Sequence, residues 1–438
     1  MEFRPVAIVQ LPFPSQQEPL EELNAYYIKY MECYKDLFPE YGIESGDLWE
    51  LPLWVAHIDG ALNFKDTVFL DFSRFEFEAE LIVSEILKSV EGNSIILFSP
   101  LSQNYDFCIS VSKSLRNLGF KTVIGGNMSD FANPHDFDLI HRGIIKGGFL
   151  HEINNERGVL TIEVQRGRNK EFLNYSPSYR LLSHYNGRIP LIRLNASHGC
   201  LFDCSFCGDS WTKQLHLVEQ ERLAMELDQL IDFFPDTRIL YIGDKTFGQS
   251  KAAVETLSKV LEQYGNRFKL IVQTHVTMIN DFLIDRMKAF NVQVVEMGFE
   301  TADSEVLKQL HKYTDLDLFK TNIQKLNDAG IKVILNVLGG LPYETRKSLR
   351  TTVNFLEETS DYVWLYNLYN FVPYPKTPIY ISIKDRIVDW NFNNWREDKP
   401  IVFEPFLQSR SDSWNNFLEL IQLGDKLVGR KLYESKRL

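Results

Sequence analysis

Three cysteines that stand within eight residues are the side chains of this sequence best suited to chemistry. Cys200, Cys204 and Cys207 lie in the stretch HGCLFDCSFCGDSW, which runs from His198 to Trp211. Three thiolates this close together repel one another unless a cation or a cluster takes up their charge. The C-x3-C-x2-C spacing therefore indicates an inorganic centre, and soft thiolate ligands favour zinc or iron-sulfur.

The ligand count favours a cluster over a single ion. A structural zinc ion needs a fourth protein ligand, no Cys or His follows Cys207 closely, and His198 is the only nearby candidate. Three thiolates on a [4Fe-4S] cube leave one iron open, and an open iron can bind a small chelating substrate. We therefore expect a [4Fe-4S] cluster, with zinc and three cysteines without a metal as the alternatives.

The segment CLFDCSFC, with aromatic Phe206 directly before the third cysteine, resembles the signature of the radical S-adenosylmethionine (SAM) superfamily. The resemblance implies that Cys200, Cys204 and Cys207 hold the cluster and that the open iron chelates the amine and carboxylate of SAM. It implies that an electron from the cluster cleaves SAM to methionine and a 5'-deoxyadenosyl radical. It also implies that Phe206 lies beside the adenine.

Length, charge and composition restrict the class of protein. A chain of 438 residues is long for one core, so two domains or more are expected. The net charge of -12 argues against a general nucleic-acid surface. The sequence contains no run of about 18 apolar residues, so no membrane span is predicted. The isolated Cys33 and Cys108 do not suggest a disulfide framework, so a cytoplasmic enzyme is expected.

The first 153 residues alternate short apolar runs with helical patterns. The runs at 6–11, 67–72, 94–98 and 121–124 predict strands, and 78–89 and 107–118 predict helices. This alternation is typical of a doubly wound parallel sheet. The segment 20–54 is a helical insertion rich in tyrosine, to which the sequence assigns no role.

Turns in this part resemble the cobalamin-binding domain that precedes the radical domain in one class of radical SAM enzymes. Ser99 and Leu101 stand where that class has S-x-L, and Gly125 and Gly126 where it has a glycine pair. The D-x-H-x-x-G motif that supplies a histidine to cobalt is missing, and 71–73 reads Asp-Phe-Ser instead. The domain therefore either binds cobalamin without that histidine or keeps the fold without the cofactor.

After a predicted linker at 154–188, strand and helix patterns repeat six times within 189–380. Six such units suit the partial (β/α)6 barrel that the resemblance implies, and residues 381–438 predict a small α-rich cap. In parallel barrels the active site lies at the carboxyl ends of the strands. The candidate SAM-binding residues at these ends are Gly243, Asp244, Gln273, Glu300, Asn336, Gly339 and Gly340.

Four of these strand-end residues, and two further ones, have specific expected roles, and the roles toward SAM are those that the resemblance implies. Asp244 would accept from the SAM ammonium, Glu300 would bind the ribose hydroxyls or the amino-acid end, and Gly339 with its neighbour would allow the backbone to approach adenosine. His275 and Tyr374 are the candidate catalytic residues.

The expected reaction starts with hydrogen abstraction from an unactivated carbon of a small-molecule natural product or a peptide. Cobalamin-dependent C-methylation, a transferase reaction, is the leading continuation. The alternatives are dehydration, epimerisation, cyclisation or rearrangement without cobalamin, and a non-catalytic iron-sulfur or zinc protein. The expected partners are the substrate and an electron donor such as flavodoxin or ferredoxin, with no nucleic acid and no membrane.

Overall fold

Two parallel six-stranded sheets organise the protein. The computed structural model describes residues 3–14, 20–39, 51–162, 174–208 and 213–435. Expectations for 163–173 of the linker and for the end of the cysteine stretch at 209–211 lie outside the described residues.

The N-terminal sheet has the order β2-β1-β3-β4-β5-β6, and every pair is parallel. Its strands are β1 (Val6–Gln10), β2 (Thr67–Asp71), β3 (Ile95–Phe98), β4 (Lys121–Ile124), β5 (Leu139–Gly143) and β6 (Gly158–Ile162). All four residues of β3 are buried, as expected of a strand covered on both faces. Strand β6 lies inside the predicted linker, so the sheet extends past the predicted boundary at residue 153. A short edge strand that alternates exposed and half-buried residues gave no continuous apolar signal.

Helices cover both faces of this sheet, which confirms the doubly wound prediction. They are α2 (Leu53–Leu62), α3 (Ala79–Ser89), α4 (Tyr105–Asn117) and α5 (Phe149–Asn155). Because side chains alternate along a strand, Val6 and Ile8 join the core under α2 and α5, whereas Ala7 and Val9 join the core under α3 and α4.

The second sheet has the order β14-β13-β12-β11-β10-β7, again entirely parallel. Its strands are β7 (Leu191–Leu194), β10 (Ile239–Ile242), β11 (Lys269–Thr274), β12 (Val292–Glu300), β13 (Lys332–Gly339) and β14 (Leu365–Asn370). The helices between them are α6 (Gln220–Phe233), α7 (Lys251–Leu261), α8 (Asp281–Ala289), α9 (Ser304–Gln309), α10 (Leu316–Asp328) and α11 (Arg346–Glu358). The predicted six-unit partial barrel is therefore confirmed. Two short antiparallel strands, β8 (Ser197–Gly199) and β9 (Leu215–Leu217), flank the cysteine loop.

Helix α1 (Glu21–Leu37) and the C-terminal helices α12 (Pro378–Ile383) and α13 (Arg410–Ser435) complete the barrel. The Tyr26 hydroxyl donates to the Tyr366 carbonyl of β14 at 2.5 Å, and Lys29 pairs with Asp425 of α13 at 2.7 Å. The tyrosine-rich insertion thus covers the barrel, a role that its sequence did not reveal. None of the helices in the described ranges has the length and apolar character needed to cross a membrane.

The carboxyl edge of the N-terminal sheet faces the cap. Ser102 donates from its hydroxyl to the Trp395 carbonyl at 2.8 Å, and Asp130 pairs with Lys376 at 2.6 Å. The ring of Phe131 also packs against Trp395. These contacts hold the strand ends of both sheets on the same side of the molecule.

Candidate active site

The three cysteines lie on the loop between β8 and β9, where neighbouring elements hold the backbone. The Ser205 N–H donates to the Leu310 carbonyl at 2.8 Å, and the Ile379 N–H donates to the Ser205 carbonyl at 3.0 Å. A turn closes between Cys204 and Cys207, whose N–H donates to the Cys204 carbonyl at 3.2 Å. The loop is therefore anchored to the ends of α9 and α12.

The three thiols are close enough to interact electrostatically. Burial raises the pKa of Cys204 to about 11, and the charges of Cys207 and Cys200 raise it further, whereas Lys312 opposes the shift. Among the described residues, no group of three Cys, His, Asp or Glu side chains could hold a single metal ion. A [4Fe-4S] cluster does not require three side chains around a single ion, because each thiolate binds a different iron of the cube. The thiols therefore fit a [4Fe-4S] cluster, whose positive irons would favour the thiolate form.

A buried ion pair stands beside this loop. Lys312 Nζ lies 2.6 Å from Glu300 Oε1, both side chains are less than a tenth exposed, and Nζ lies 6.0 Å from the centre of the Phe206 ring. The structure therefore brings the predicted residues Phe206 and Glu300 together, and joins them through a lysine that sequence reasoning missed. Lys312 follows α9 and has no motif around it, so only its position in space reveals it.

A bulge in β12 aims Glu300 at Lys312. The pairing of β12 with β13 shifts register between Gly298 and Glu300, and Glu300 has a φ of 64°. This left-handed conformation disfavours a residue with a side chain, and the ion pair compensates for it. A Cβ at Gly298 would lie 2.5 Å from Lys312 Nζ and 2.6 Å from Glu300 Oε1. The absence of a side chain at Gly298 thus makes room for the Lys312–Glu300 ion pair.

The carboxylate of Asp244 is engaged by the protein itself. Its Oδ1 accepts from the N–H groups of Ala196 and Ser197 at 2.7 and 3.0 Å, and its Oδ2 accepts from the Ser197 hydroxyl at 2.6 Å. Burial raises the pKa of Asp244 to about 6. Asp244 therefore fixes the start of β8 and the cysteine loop after it, and its binding to the SAM ammonium stays a prediction.

Gln273 and His275 also serve local structure. Gln273 donates to the Asp244 carbonyl at 3.1 Å. The Nδ1 of His275 accepts from the Thr277 N–H at 3.3 Å, which caps a short 3-10 turn. The imidazole stacks on Phe202 of the cysteine loop at 4.2 Å between ring centres, and burial lowers its pKa to about 4. His275 is thus neutral and supports the loop, and its catalytic role stays a prediction.

The predicted glycines are required by packing within the protein. A Cβ at Gly339 would lie 2.8 Å from the Phe417 ring of α13, and one at Gly340, which has a φ of 71°, would lie 2.2 Å from Asn370 Oδ1. A Cβ at Gly243 would lie 2.2 Å from Asn195 Oδ1. Glycine at these strand ends therefore lets α13 and the neighbouring loops pack close to the backbone. This packing explains the glycines differently from the predicted approach of the backbone to adenosine.

A cavity of about 690 Å³ opens at the ends of these strands. Leu101 and Asn127 of the N-terminal domain, Tyr27 of α1, Tyr241 of β10 and Tyr374 line it, together with cap residues 395–398. Burial raises the pKa of Tyr374 above its usual range, and the charges of Glu397 and Cys207 contribute. The predicted catalytic tyrosine thus lines the cavity and is close enough to Cys207 of the cluster loop for the two groups to interact. Asn336 accepts from Asn367 Nδ2 at 2.8 Å, and Asn367 also lines the cavity.

A second cavity, of about 340 Å³, lies at the carboxyl edge of the N-terminal sheet. It is lined by the predicted Ser99, Gly125 and Gly126, and by His57 and His198. Burial lowers the pKa of His57 to about 4 and that of His198 to about 3, so both are neutral. A Cβ at Gly126 would lie 2.6 Å from Ser99 Oγ. This uncharged space next to the cysteine loop fits part of a large neutral ring system such as that of cobalamin.

The place where the cobalt-ligating motif is missing carries a structural contact. Asp71, at the end of β2, accepts from the Tyr185 hydroxyl and, at 2.9 Å, from the Ser73 N–H. The Asp-Phe-Ser segment thus ties the sheet to residues before the barrel. It offers no imidazole, as the sequence indicates.

Comparison with known proteins identifies the domain. The model of the radical SAM superfamily matches residues 194–356, so the chain carries a radical SAM domain, and the resemblance drawn from the cysteines is confirmed. Such a domain implies a [4Fe-4S] cluster and SAM, and it indicates that the protein is an enzyme.

Relatives in sequence and structure extend the likeness beyond the barrel. The chain is 24% identical over 191 residues to the hopanoid C-2 methylase of Rhodopseudomonas palustris, covering 42% of this chain and 36% of that protein. It is 20% identical over 408 residues to the anaerobic magnesium-protoporphyrin IX monomethyl ester cyclase of Rubrivivax gelatinosus, covering 82% of this chain and 71% of that protein. The radical SAM methyltransferase TsrM from Kitasatospora setae matches with a TM-score of 0.61 at 15% identity, covering 87% of this chain and 76% of TsrM. The two-domain fold is therefore shared with a radical SAM methyltransferase.

Proposed function

We propose that this protein is a radical SAM enzyme that abstracts a hydrogen atom from a carbon of a small molecule. Cobalamin-dependent methyl transfer to that carbon would follow. The observation that carries this proposal is the 690 Å³ cavity, which residues at the strand ends of both sheets line together. A substrate there would face the cluster loop on one side and the N-terminal sheet edge on the other. A protein that used its cysteines only for structure would not need this arrangement.

The residues of the chain divide the work by position. Cys200, Cys204 and Cys207 would hold the cluster, which when bound supplies the electron that cleaves SAM to methionine and a 5'-deoxyadenosyl radical. Phe206 offers an apolar face beside the loop, where the adenine of SAM can bind, and the buried Lys312–Glu300 pair supports this side of the loop. Tyr374 lines the proposed substrate cavity, where it can contact the substrate.

Cobalamin is proposed for the second cavity. Support comes from the uncharged lining at Ser99, Gly125 and Gly126 and from the likeness to TsrM, a structure of which contains cobalamin and a [4Fe-4S] cluster. The hopanoid methylase relative supports methylation, whereas the cyclase relative supports radical chemistry with another outcome. Methyl transfer is preferred because the neutral cavity lies directly beside the cluster loop, at His198.

The test uses reconstituted protein under anaerobic conditions with cobalamin, SAM and dithionite. We expect 5'-deoxyadenosine from the wild type, its loss in Cys204→Ala, and its retention in the matched control Cys33→Ala, since Cys33 is buried in α1 away from the loop. Full 5'-deoxyadenosine formation by Cys204→Ala would refute the radical assignment. A visible spectrum without a corrinoid after gel filtration would refute the cobalamin step alone.

A further inference from the structure

Glu397 lies in the cap at the edge of the 690 Å³ cavity, on a segment whose backbone is fixed. Its carbonyl accepts from the Asn370 N–H at the end of β14 at 3.0 Å. Two residues further on, the Lys399 carbonyl accepts from Asn370 Nδ2 at 2.6 Å. The end of β14 therefore fixes the backbone position of Glu397.

The other charged side chains at this end of the cavity contact protein groups. Arg396 donates to both oxygens of Asp398, from Nε at 2.8 Å and from Nη2 at 2.5 Å. On the barrel side, the Tyr241 hydroxyl donates to Glu296 at 2.7 Å, and Arg193 stacks over the Tyr241 ring at 4.3 Å. Both arginines of the lining thus have protein partners.

Glu397 is the remaining carboxylate. The described residues of the lining include three carboxylates and two guanidiniums, so together they carry an excess of negative charge. Within the described part of the chain, no cationic side chain pairs with Glu397. Its side chain is exposed and lines the cavity. Burial, and then Asp398, raise the pKa of Glu397 to about 7.

Three tyrosines surround the same space. Tyr27 of α1, Tyr369 of β14 and Tyr374 all line the cavity, and the charge of Glu397 contributes to the raised pKa of each phenol. Tyrosine faces attract a cation, and a carboxylate attracts it more strongly. The same environment disfavours an anion, because Glu397 would repel a second negative charge.

We propose that Glu397 binds a protonated amine of the substrate, so that the cavity selects small molecules that bear a basic nitrogen and rejects those with a carboxylate at that position. This inference rests on the proposed function in one respect, namely that the cavity is the substrate site. The amine would lie between Glu397 and the tyrosines. The rest of the molecule would extend toward Tyr374 and the cluster loop.

The test compares three probes of similar size that differ in charge. Tyramine, 4-ethylphenol and 3-(4-hydroxyphenyl)propionate are titrated calorimetrically into the cluster-reconstituted, full-length protein at pH 8 without SAM. Since a hydrogen bond to a charged group contributes strongly, we expect tyramine to bind about tenfold or more tighter than 4-ethylphenol, and the carboxylate to bind weakest. At pH 6 this preference should shrink, because Glu397 is then mostly protonated.

Variants identify the residue responsible. Glu397→Gln should remove the preference for tyramine, and Glu397→Arg should invert it toward the carboxylate probe. The matched control Asp385→Asn removes an exposed carboxylate of the same cap that does not line the cavity, and should change nothing. The inference is overturned if wild-type protein binds no amine, if it binds the carboxylate equally well, or if Glu397→Gln keeps the preference. Because binding requires no SAM cleavage, these outcomes are independent of the test of radical chemistry.

Discussion

Removal of Lys312 should destabilise the protein far more than removal of a surface lysine. The change Lys312→Met keeps the length and the apolar stem of the side chain, but leaves the Glu300 carboxylate buried without its cation. Both partners are less than a tenth exposed and 2.6 Å apart. Loss of one partner of such a pair costs about 3–5 kcal/mol, because an uncompensated charge stays in the interior.

The matched control is Lys320→Met, which breaks the pair of Lys320 with Glu358. These side chains are 37% and 62% exposed, so water screens them. Such pairs contribute about 0–1 kcal/mol. Chemical unfolding followed by circular dichroism gives both values. The double variant Glu300→Gln/Lys312→Met should recover most of the loss, because no buried charge remains.

Two outcomes would refute this reasoning. If Lys312→Met cost no more than Lys320→Met, the interior near the cluster loop would be wetter than the structure indicates. If the double variant were as unstable as Lys312→Met, the loss would come from packing and not from charge. Iron content per chain, measured in the same preparations, separates a change in the loop from a change in the whole barrel.

Two further predictions concern buried carboxylates. Asp244→Ala leaves two buried N–H groups without an acceptor and should lower the iron bound per chain after reconstitution. Asp244→Asn should keep the iron. If Asp244→Asn has full iron content but no longer binds SAM, the predicted contact with the SAM ammonium would be supported instead. Burial raises the pKa of Glu344 from 4.5 to about 7, so the folded protein binds that proton more tightly than the unfolded chain and loses stability as the pH rises through this interval. Glu344→Gln keeps an acceptor for Asn416 and should therefore be more stable than the wild type at pH 8.5 and similar to it at pH 4.5. If the free energy of unfolding of both proteins changed with pH in the same way, the burial of this carboxyl would be contradicted.

The repeating parts of the fold were predictable because local patterns specify them. Buried parallel strands are continuous apolar runs, and the four strands predicted in the N-terminal sheet match β1 to β4 to within one residue at each end. Strand β6 was missed because it lies at a sheet edge and alternates two exposed with three half-buried residues. Helix α1 was predicted, but its packing against α13 joins segments almost 400 residues apart, and no local pattern encodes such a contact.

The cysteine motif was predictable for a similar reason, since its ligands are close in sequence. Lys312 was not, because its partner Glu300 is reached only through a bulge and a left-handed residue. Asp244 and Gly340 were found as strand-end residues, but sequence could not distinguish contact with a ligand from contact with the protein. That distinction depends on which atoms fill the space around them, which only the assembled structure provides.

The substrate cavity belongs to this second kind of feature. Its walls come from α1, the edge of the N-terminal sheet, the barrel strands and the cap, and Asn370 at the end of β14 holds the cap residue Glu397 in place. The cysteine loop, by contrast, is anchored by α9 and α12 near the barrel. In the proposed function, cleavage of SAM and choice of substrate therefore depend on different contacts. This explains why the cysteine motif identifies the chemistry, whereas the proposed choice of substrate rests on cap residues such as Glu397.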